Sequence, residues 1–228
     1  MKSKNFVILT NKKWHFEIAK ILNKKYKFKR FIIIKSKDGL TLSKLNKIKP
    51  EYIFVPHWSY IIPKKIYSNF KTVIFHMTDL PFGRGGSPLQ NLILLGKKKS
   101  MISAIECSHK IDAGNIYLKS PFNIEGSAQE IYDRSSLIIK EMIIKIINNK
   151  FVLTPQRGKI TQFKRRSPTQ GNLIRVKSMQ TFYNFIRMLD AETYPKAFLK
   201  INGFTILFSK VKKVGTNKLI AEVEISRK

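Results

Sequence analysis

Val73-Ile74-Phe75-His76-Met77-Thr78-Asp79-Leu80-Pro81-Phe82-Gly83-Arg84-Gly85-Gly86-Ser87-Pro88-Leu89-Gln90-Asn91 is the stretch on which the reading of this chain turns. Val73, Ile74 and Phe75 are β-branched or aromatic, so they read as the end of a buried strand. His76 stands where that strand runs out. Pro81, Gly83, Gly85, Gly86 and Pro88 follow, five breakers in eight positions, and force a loop. Ser87 is placed to cap a helix starting at Pro88 or Leu89, with proline tolerated in the first turn. A titratable side chain leaving a buried strand into a glycine-rich loop is where an open α/β sheet puts its chemistry.

Working outward, Phe6–Leu9, Phe31–Ile34 and Tyr52–Val55 read as three earlier strands. Between them, Trp14–Leu22 has helical spacing of apolar residues, and Leu42, Leu45 and Ile48 mark a short helix stopping before Pro50. The alternation of strand and helix predicts parallel pairing with helices on the faces. A fully apolar strand such as Ile32-Ile33-Ile34 fits a sheet covered on both sides. Pro56-His57-Trp58-Ser59-Tyr60-Ile61-Ile62-Pro63 then forms an aromatic and apolar loop beyond a strand's carboxyl end. It reads equally as one wall of a flat pocket or as an irregular cover. Downstream of the opening stretch, a strand at Met101–Glu106 leads into Ser108-His109-Lys110-Ile111-Asp112-Ala113-Gly114-Asn115-Ile116, a second loop expected at the same sheet edge.

Glu130–Ile147 is the longest helical pattern, with Ser127 and Glu130 spaced as a capping box. After Thr154-Pro155 the character changes. Gln156–Leu173 is polar and basic and reads as an extended connector, and Ser178–Leu189 as an amphipathic helix. Tyr194–Ile201, Thr205–Val211 and Leu219–Ile225 read as three strands, with an Asn202-Gly203 hairpin turn. The expected organisation is therefore a main domain over residues 1–155, and a connector, helix and small β appendage over 156–228.

Forty-three per cent of the 228 residues are hydrophobic, enough for one sizeable core. The single cysteine, Cys107, excludes an internal disulfide and suggests a reducing compartment. The first apolar run, Phe6–Leu9, is too short for a signal-peptide core, and no later run is long enough to span a membrane, so a cytoplasmic location is expected. The net charge of +30 reads either as a footprint for a polyanion or as composition bias. Lysine is scattered through every segment, which favours bias.

Four residues can carry chemistry at the two loops: His76, Thr78, Asp79 and Asp112, with His109 a fifth. A histidine–carboxylate pair suits removal of a proton from an amine as it attacks a carbonyl, with hydrogen-bond donors holding the oxyanion. No strong zinc spacing is present, since His76 and His109 lie on separate loops and Cys107 is alone, so no metal is expected, and no Gly-Lys-Ser/Thr follows Gly83–Gly86 to make a phosphate loop.

His76, Leu80-Pro81, Arg84-Gly85, Pro88 and Gln90 together resemble the His-x-x-x-Leu-Pro-x-x-Arg-Gly-x-x-Pro-x-Gln signature of folate-dependent formyltransferases. Asp112-x-Gly114-x-Ile116 resembles their second motif, and Tyr60-Ile61-Ile62-Pro63 the loop that packs on the pterin. Phe163-Lys164-Arg165-Arg166 and Ile186–Phe198 resemble segments that follow the catalytic domain in several members. The likeness runs from about Tyr52 to Phe208. It implies an α/β fold, a mostly parallel Rossmann-like sheet with helices on both faces, plus the small C-terminal appendage. It also implies 10-formyltetrahydrofolate as co-substrate. His76 would assist proton transfer and Asp112 would tune it. Tyr60, Ile61, Ile62, Pro63, His109 and Ile111 would hold the folate. Arg84, Gly85, Gln90 and Arg165 would hold the acceptor, the two arginines as bidentate donors to a diphosphate.

One position departs from the family pattern. An Asn is expected two residues before the histidine, and Ile74 stands there, unable to donate a hydrogen bond. Loss of one oxyanion donor typically costs about 10²–10³ in rate. Thr78, placed where other members often have Ser, is the expected substitute, with Asn91 or His109 as alternatives. The short C-terminal portion and the Arg165-Arg166 and Leu189-Asp190-Ala191 segments point to a nucleotide-linked amino sugar as acceptor. Methionyl-tRNA is the second choice, and a non-catalytic folate- or RNA-binding protein the third. The C-terminal strands offer an edge for a homodimer.

Overall fold

The computed structural model describes residues 3–227. Strand and helix alternate at first: β1 (Lys4–Thr10), α1 (Phe16–Lys25), β2 (Lys29–Ile34), α2 (Leu42–Ile48), β3 (Pro50–His57), α3 (Lys64–Tyr67) and β4 (Thr72–His76). There follow β5 (Arg84–Gly85), α4 (Pro88–Leu94), β6 (Lys99–Glu106), β7 (Ile116–Asn123), α5 (Ala128–Asn148) and β8 (Gln162–Phe163). Last come α6 (Met179–Leu189), β9 (Ala197–Ile201), β10 (Phe204–Lys213) and β11 (Leu219–Arg227). By contact the chain forms two compact units. One takes in the chain up to Arg84, Met101–Phe122 and Asp133–Gln162; the other holds Gly85–Ser100, Asn123–Tyr132 and the chain from Phe163. The units interleave in sequence, whereas the line drawn at 155/156 divides the chain by composition.

The first unit is built on a six-stranded sheet of order β2-β1-β3-β4-β6-β7. β1 pairs in parallel with β2 and β3, and β3 with β4, as the alternation requires. Phe6, Val7, Ile8 and Leu9 are each at most 1% exposed, so both faces of β1 are covered. One face carries an aromatic row, in which Phe6 stacks on Phe31 at 4.9 Å and packs 6.3 Å from Phe54. The other carries Val7, Leu9, Ile34, Leu45, Ile53, Val55, Ile62, Ile66 and Cys107 as one cluster. Burial of such a side chain stabilises the fold by about 1.5–3 kcal/mol. α2 begins where Thr41 Oγ1 accepts from Lys44 N, and ends at Lys49, which turns left-handed just before Pro50.

The sheet departs from the expected pairing at β6, which runs antiparallel to β4 with Val73 opposite Glu106 and His76 opposite Ser103. The end of β6 therefore lies level with the start of β4, where Cys107 N donates to Thr72 O at 2.8 Å. The 108–115 loop does not leave from the same sheet edge as His76.

In the second unit, β9, β10 and β11 form an antiparallel sheet of order β11-β10-β9. Asn202 and Gly203 have φ of 48° and 78°, the two positive values a tight hairpin turn requires. β9 starts at Ala197 rather than at Tyr194, since Thr193 with φ 67° still turns the chain. Phe182 of α6 meets Phe208 of β10 edge to face, with centroids 6.0 Å apart. The capping box forms: Glu130 Oε2 accepts from Ser127 N at 2.7 Å, and Ser127 Oγ from Glu130 N at 3.3 Å. Among the described residues no helix is long and apolar enough to cross a membrane.

Candidate active site

The side chains of Ile74 and His76 share a face of β4, by the two-residue period of a strand. Ile74 packs against the aliphatic cluster that includes Val55, Ile62 and Cys107. His76 is nearly enclosed, and both of its ring nitrogens are engaged. Nε2 lies 2.8 Å from Gly83 O, and Nδ1 3.4 Å from Asp112 Oδ2. A carbonyl oxygen only accepts, so Nε2 carries the hydrogen of that bond. Nδ1 then faces a carboxylate whose side chain is 12% exposed. A proton arriving at Nδ1 is held between imidazole and carboxylate, which is the arrangement a proton-transfer couple needs.

Gly83 O also accepts from Thr78 Oγ1 at 3.4 Å. Thr78 is fully buried, and its own carbonyl accepts from Ser103 Oγ at 2.7 Å. In this arrangement Thr78 fixes the Pro81–Gly83 turn. A donor role in the reaction requires its hydroxyl to leave Gly83 O.

Asp112 reaches His76 because the loop after β6 doubles back, and two features set its path. Asp112 has φ 51°, a left-handed conformation that Asp tolerates better than most residues. Gly114 passes so close to β6 that a Cβ on it would stand 1.8 Å from Glu106 O. Gln156 then clamps the loop, its amide nitrogen donating to Asp112 O and Gly114 O, each at 2.9 Å. Gln156 Oε1 accepts from Arg84 Nε at 3.1 Å and Nη2 at 2.7 Å. Arg84, expected on the acceptor, is thus tied through Gln156 to the Asp112 loop.

Sequence reasoning missed Gln156 and Thr161, whose Oγ1 accepts from Gly83 N at 2.6 Å. Both lie in the polar stretch taken for a connector, and no spacing marks them. Cys107 adjoins this loop, but its thiol is pushed up to about 12 by burial and by the carboxylates of Asp112 and Glu106. It is therefore no nucleophile near neutral pH.

The folate-side residues divide by exposure. Tyr60 and Ile61 are 47% and 82% exposed, whereas Ile62 is buried in the aliphatic cluster and Pro63 precedes α3. His109 and Ile111 are both exposed on the second loop. Three further candidates, Gly85, Gln90 and Arg165, belong to the second unit. Gly85, at φ 106°, and Gly86 let the chain approach the Phe163–Arg165 backbone, where a Cβ would stand 2.5 Å from Phe163 O or Arg165 Cβ. Arg165 is exposed. Gln90 is buried, and its amide donates to Tyr132 Oη at 3.1 Å and Met188 O at 3.2 Å, so it is engaged in the packing of its unit. Ser87 does not cap α4. Its φ of 51° turns the side chain elsewhere, and Oγ accepts from Arg166 N at 3.0 Å.

Residues 168–226 match a family model described as methionyl-tRNA formyltransferase, C-terminal domain. A methionyl-tRNA formyltransferase from Clostridium thermocellum has a solved structure that is 44% identical, with a TM-score of 0.96 over 99% of this chain and 100% of that one. A methionyl-tRNA formyltransferase from Thermodesulfovibrio yellowstonii is 28% identical over 78% of this chain and 60% of its own length. HypX from Aquifex aeolicus, solved in complex with tetrahydrofolic acid, shares the fold with a TM-score of 0.75 at 17% identity, over 90% of this chain and 37% of that one. The chain thus spans about 60% of the length of the curated relative from Thermodesulfovibrio.

Proposed function

The chain belongs to the formyltransferase family, and from that premise we propose that it transfers a formyl group from 10-formyltetrahydrofolate to a primary amine, that of methionyl-tRNA. The observation that carries the reaction is the enclosed His76–Asp112 pair at the end of β4. The acceptor is supported by the match at residues 168–226 and by the 44% identity to a methionyl-tRNA formyltransferase along the whole of its chain.

The residues present fit a folate. Tyr60 and Ile61 present exposed apolar surface on the loop after β3, as Ile111 does on the loop that carries Asp112. Such surface suits a flat heteroaromatic ring. Bound there, the folate supplies a formyl group activated by its N10 nitrogen. The proton that the attacking amine loses passes by way of the Asp112 carboxylate to His76 Nδ1, the ring nitrogen that carries no hydrogen, and returns by the same route to the leaving nitrogen. Asp112 stabilises the imidazolium in between and keeps the ring oriented. The Gly83 carbonyl and Gln156 hold both groups in place before the substrates arrive, which removes reorganisation from the reaction itself.

The amino-sugar acceptor expected from the sequence rested partly on Arg165-Arg166 and Leu189-Asp190-Ala191. In the structure much of this chemistry serves the second unit. The Arg166 guanidinium lies 5.4 Å from the Phe185 ring centroid and donates to Gln170 O. Asp190 accepts from Lys196 Nζ through Oδ1 and from Lys210 N through Oδ2. A polyanionic acceptor also gives the net charge of +30 a partner. The test is tetrahydrofolate release with charged initiator tRNA and, separately, with a panel of nucleotide-linked amino sugars. Release with the tRNA alone supports this reading, and release with a sugar alone overturns it.

A further inference from the structure

Trp58 directly follows the last residue of β3, and its ring packs on the same aliphatic cluster as Ile74. Its indole N–H is sealed from solvent, and no acceptor among the described residues lies within hydrogen-bond reach. Neighbouring polar groups on this loop are engaged: Thr10 Oγ1 donates to His57 O at 2.9 Å, and Ser59 Oγ and the Asn11 side chain are hydrogen-bonded at 3.3 Å. A buried donor left unpaired weakens a fold by roughly ten-fold or more in its equilibrium, so its retention calls for an explanation. Tyr60 packs edge to face on the indole with centroids 5.3 Å apart, and Tyr60 and Ile61, with Pro63 beyond them, are exposed. The indole that carries this donor therefore packs against the segment that the co-substrate is proposed to meet.

We propose that the Trp58 indole N–H is a hydrogen-bond donor to the bound folate, uncovered when the Ser59–Ile61 segment shifts to receive the ring. This rests on the reading above that the chain binds a folate. A pterin suits the position, since its faces are apolar enough to pack on Tyr60 and Ile61 while its edge carries carbonyl and ring-nitrogen acceptors. The sequence offers a clean probe, because Trp14 and Trp58 are its two tryptophans.

The test measures tetrahydrofolate affinity of the full chain by calorimetry, for the natural protein, Trp58→Phe and Trp14→Phe. Phenylalanine keeps an aromatic ring and removes the N–H. Trp58→Phe is expected to weaken binding about five- to ten-fold while the ligand-free melting temperature holds or rises, and Trp14→Phe to bind normally. In parallel, the Trp58 indole N–H resonance of the natural protein moves downfield on addition of tetrahydrofolate. That readout stands even where the variant folds poorly. Natural protein that binds tetrahydrofolate, with Trp58→Phe within two-fold of it and no movement of that resonance, overturns the role of Trp58 and leaves the formyltransferase reading intact. Natural protein that binds no tetrahydrofolate overturns both.

Discussion

His76 Nδ1 lies 3.4 Å from Asp112 Oδ2, although β6, the strand that leads to Asp112, ends at the opposite edge of the sheet from His76. The pair exists because an irregular loop doubles back along β4 and is pinned by Gly114 and Gln156.

Asp112→Asn tests the pair with little disturbance of the backbone. Asn accepts a left-handed conformation as readily as Asp, so φ 51° costs nothing new. The charge beside the imidazole is lost. Turnover is expected to fall about 10²–10⁴-fold, with the melting temperature within a few degrees of the natural protein. Single-turnover formyl transfer and thermal melts check both halves.

Gly114→Ala tests the path of the loop. No positive φ is involved, so the cost is one of space: the new methyl meets Glu106 O. We expect a loss of about 3 kcal/mol or more in unfolding free energy, with turnover falling as Asp112 is displaced. Gly96→Ala is the control, with φ 71° and nothing within 4 Å of the added Cβ. It should cost only about 1–2 kcal/mol.

Ile74→Asn asks what the departure from the family pattern does. Ile74 packs on the aliphatic cluster, so Asn lowers stability by about 1–3 kcal/mol. It also places an amide donor two residues before His76. Turnover at saturating substrates is expected to rise at least several-fold despite the lower melting temperature. An unchanged or lower rate would mean that this chain holds its oxyanion by another route.

Stability should fall in mild acid because of His15. Its ring is buried, and that burial, aided by His57 at 6.3 Å between centroids, holds its pKa well below the ordinary 6.5. Ser136 Oγ donates to Trp14 O, so His15 Nδ1 donates to Ser136 Oγ at 3.1 Å, as the neutral ring can. The unfolded chain takes up a proton below about pH 6.5 that the fold refuses, so unfolding becomes easier as pH drops. The contribution is complete above that pH and is lost as pH falls through the folded value. Melts from pH 7.5 to 5 should show a decline that is shallower in His15→Gln.

The strands were legible in the sequence because Phe6–Leu9, Ile32–Ile34 and Val73–Phe75 are apolar runs, but cover on both sides holds for Phe6–Leu9 and not for Ile32 and Ile33, which are only half-buried because β2 is the edge strand. The Asn202-Gly203 turn and the Ser127–Glu130 cap were legible because each is local chemistry. The direction of β6 was not, since Ile102-Ser103-Ala104-Ile105 reads the same whichever way the strand runs. His76 and Asp112 stood out by type and by resemblance. Gln156 did not, because its role arises only when Asp112, Gly114 and Arg84 converge on it. Ser87 looked like a helix cap, and its left-handed backbone redirected it to Arg166. The choice of acceptor leaned on a short C-terminal portion, which carries no chemistry of its own; the match at residues 168–226 weighs more.

The most direct test is transfer of labelled formyl from 10-formyltetrahydrofolate to charged initiator methionyl-tRNA, by the natural protein and by His76→Asn, at two salt concentrations. The account predicts labelled formyl-methionyl-tRNA from the natural protein and a loss of about 10²-fold or more in the variant. It also predicts a steep fall in kcat/KM as salt rises, because the proposed acceptor is a polyanion. Equal rates from the two proteins, or label passing only to a nucleotide-linked amino sugar, would contradict it.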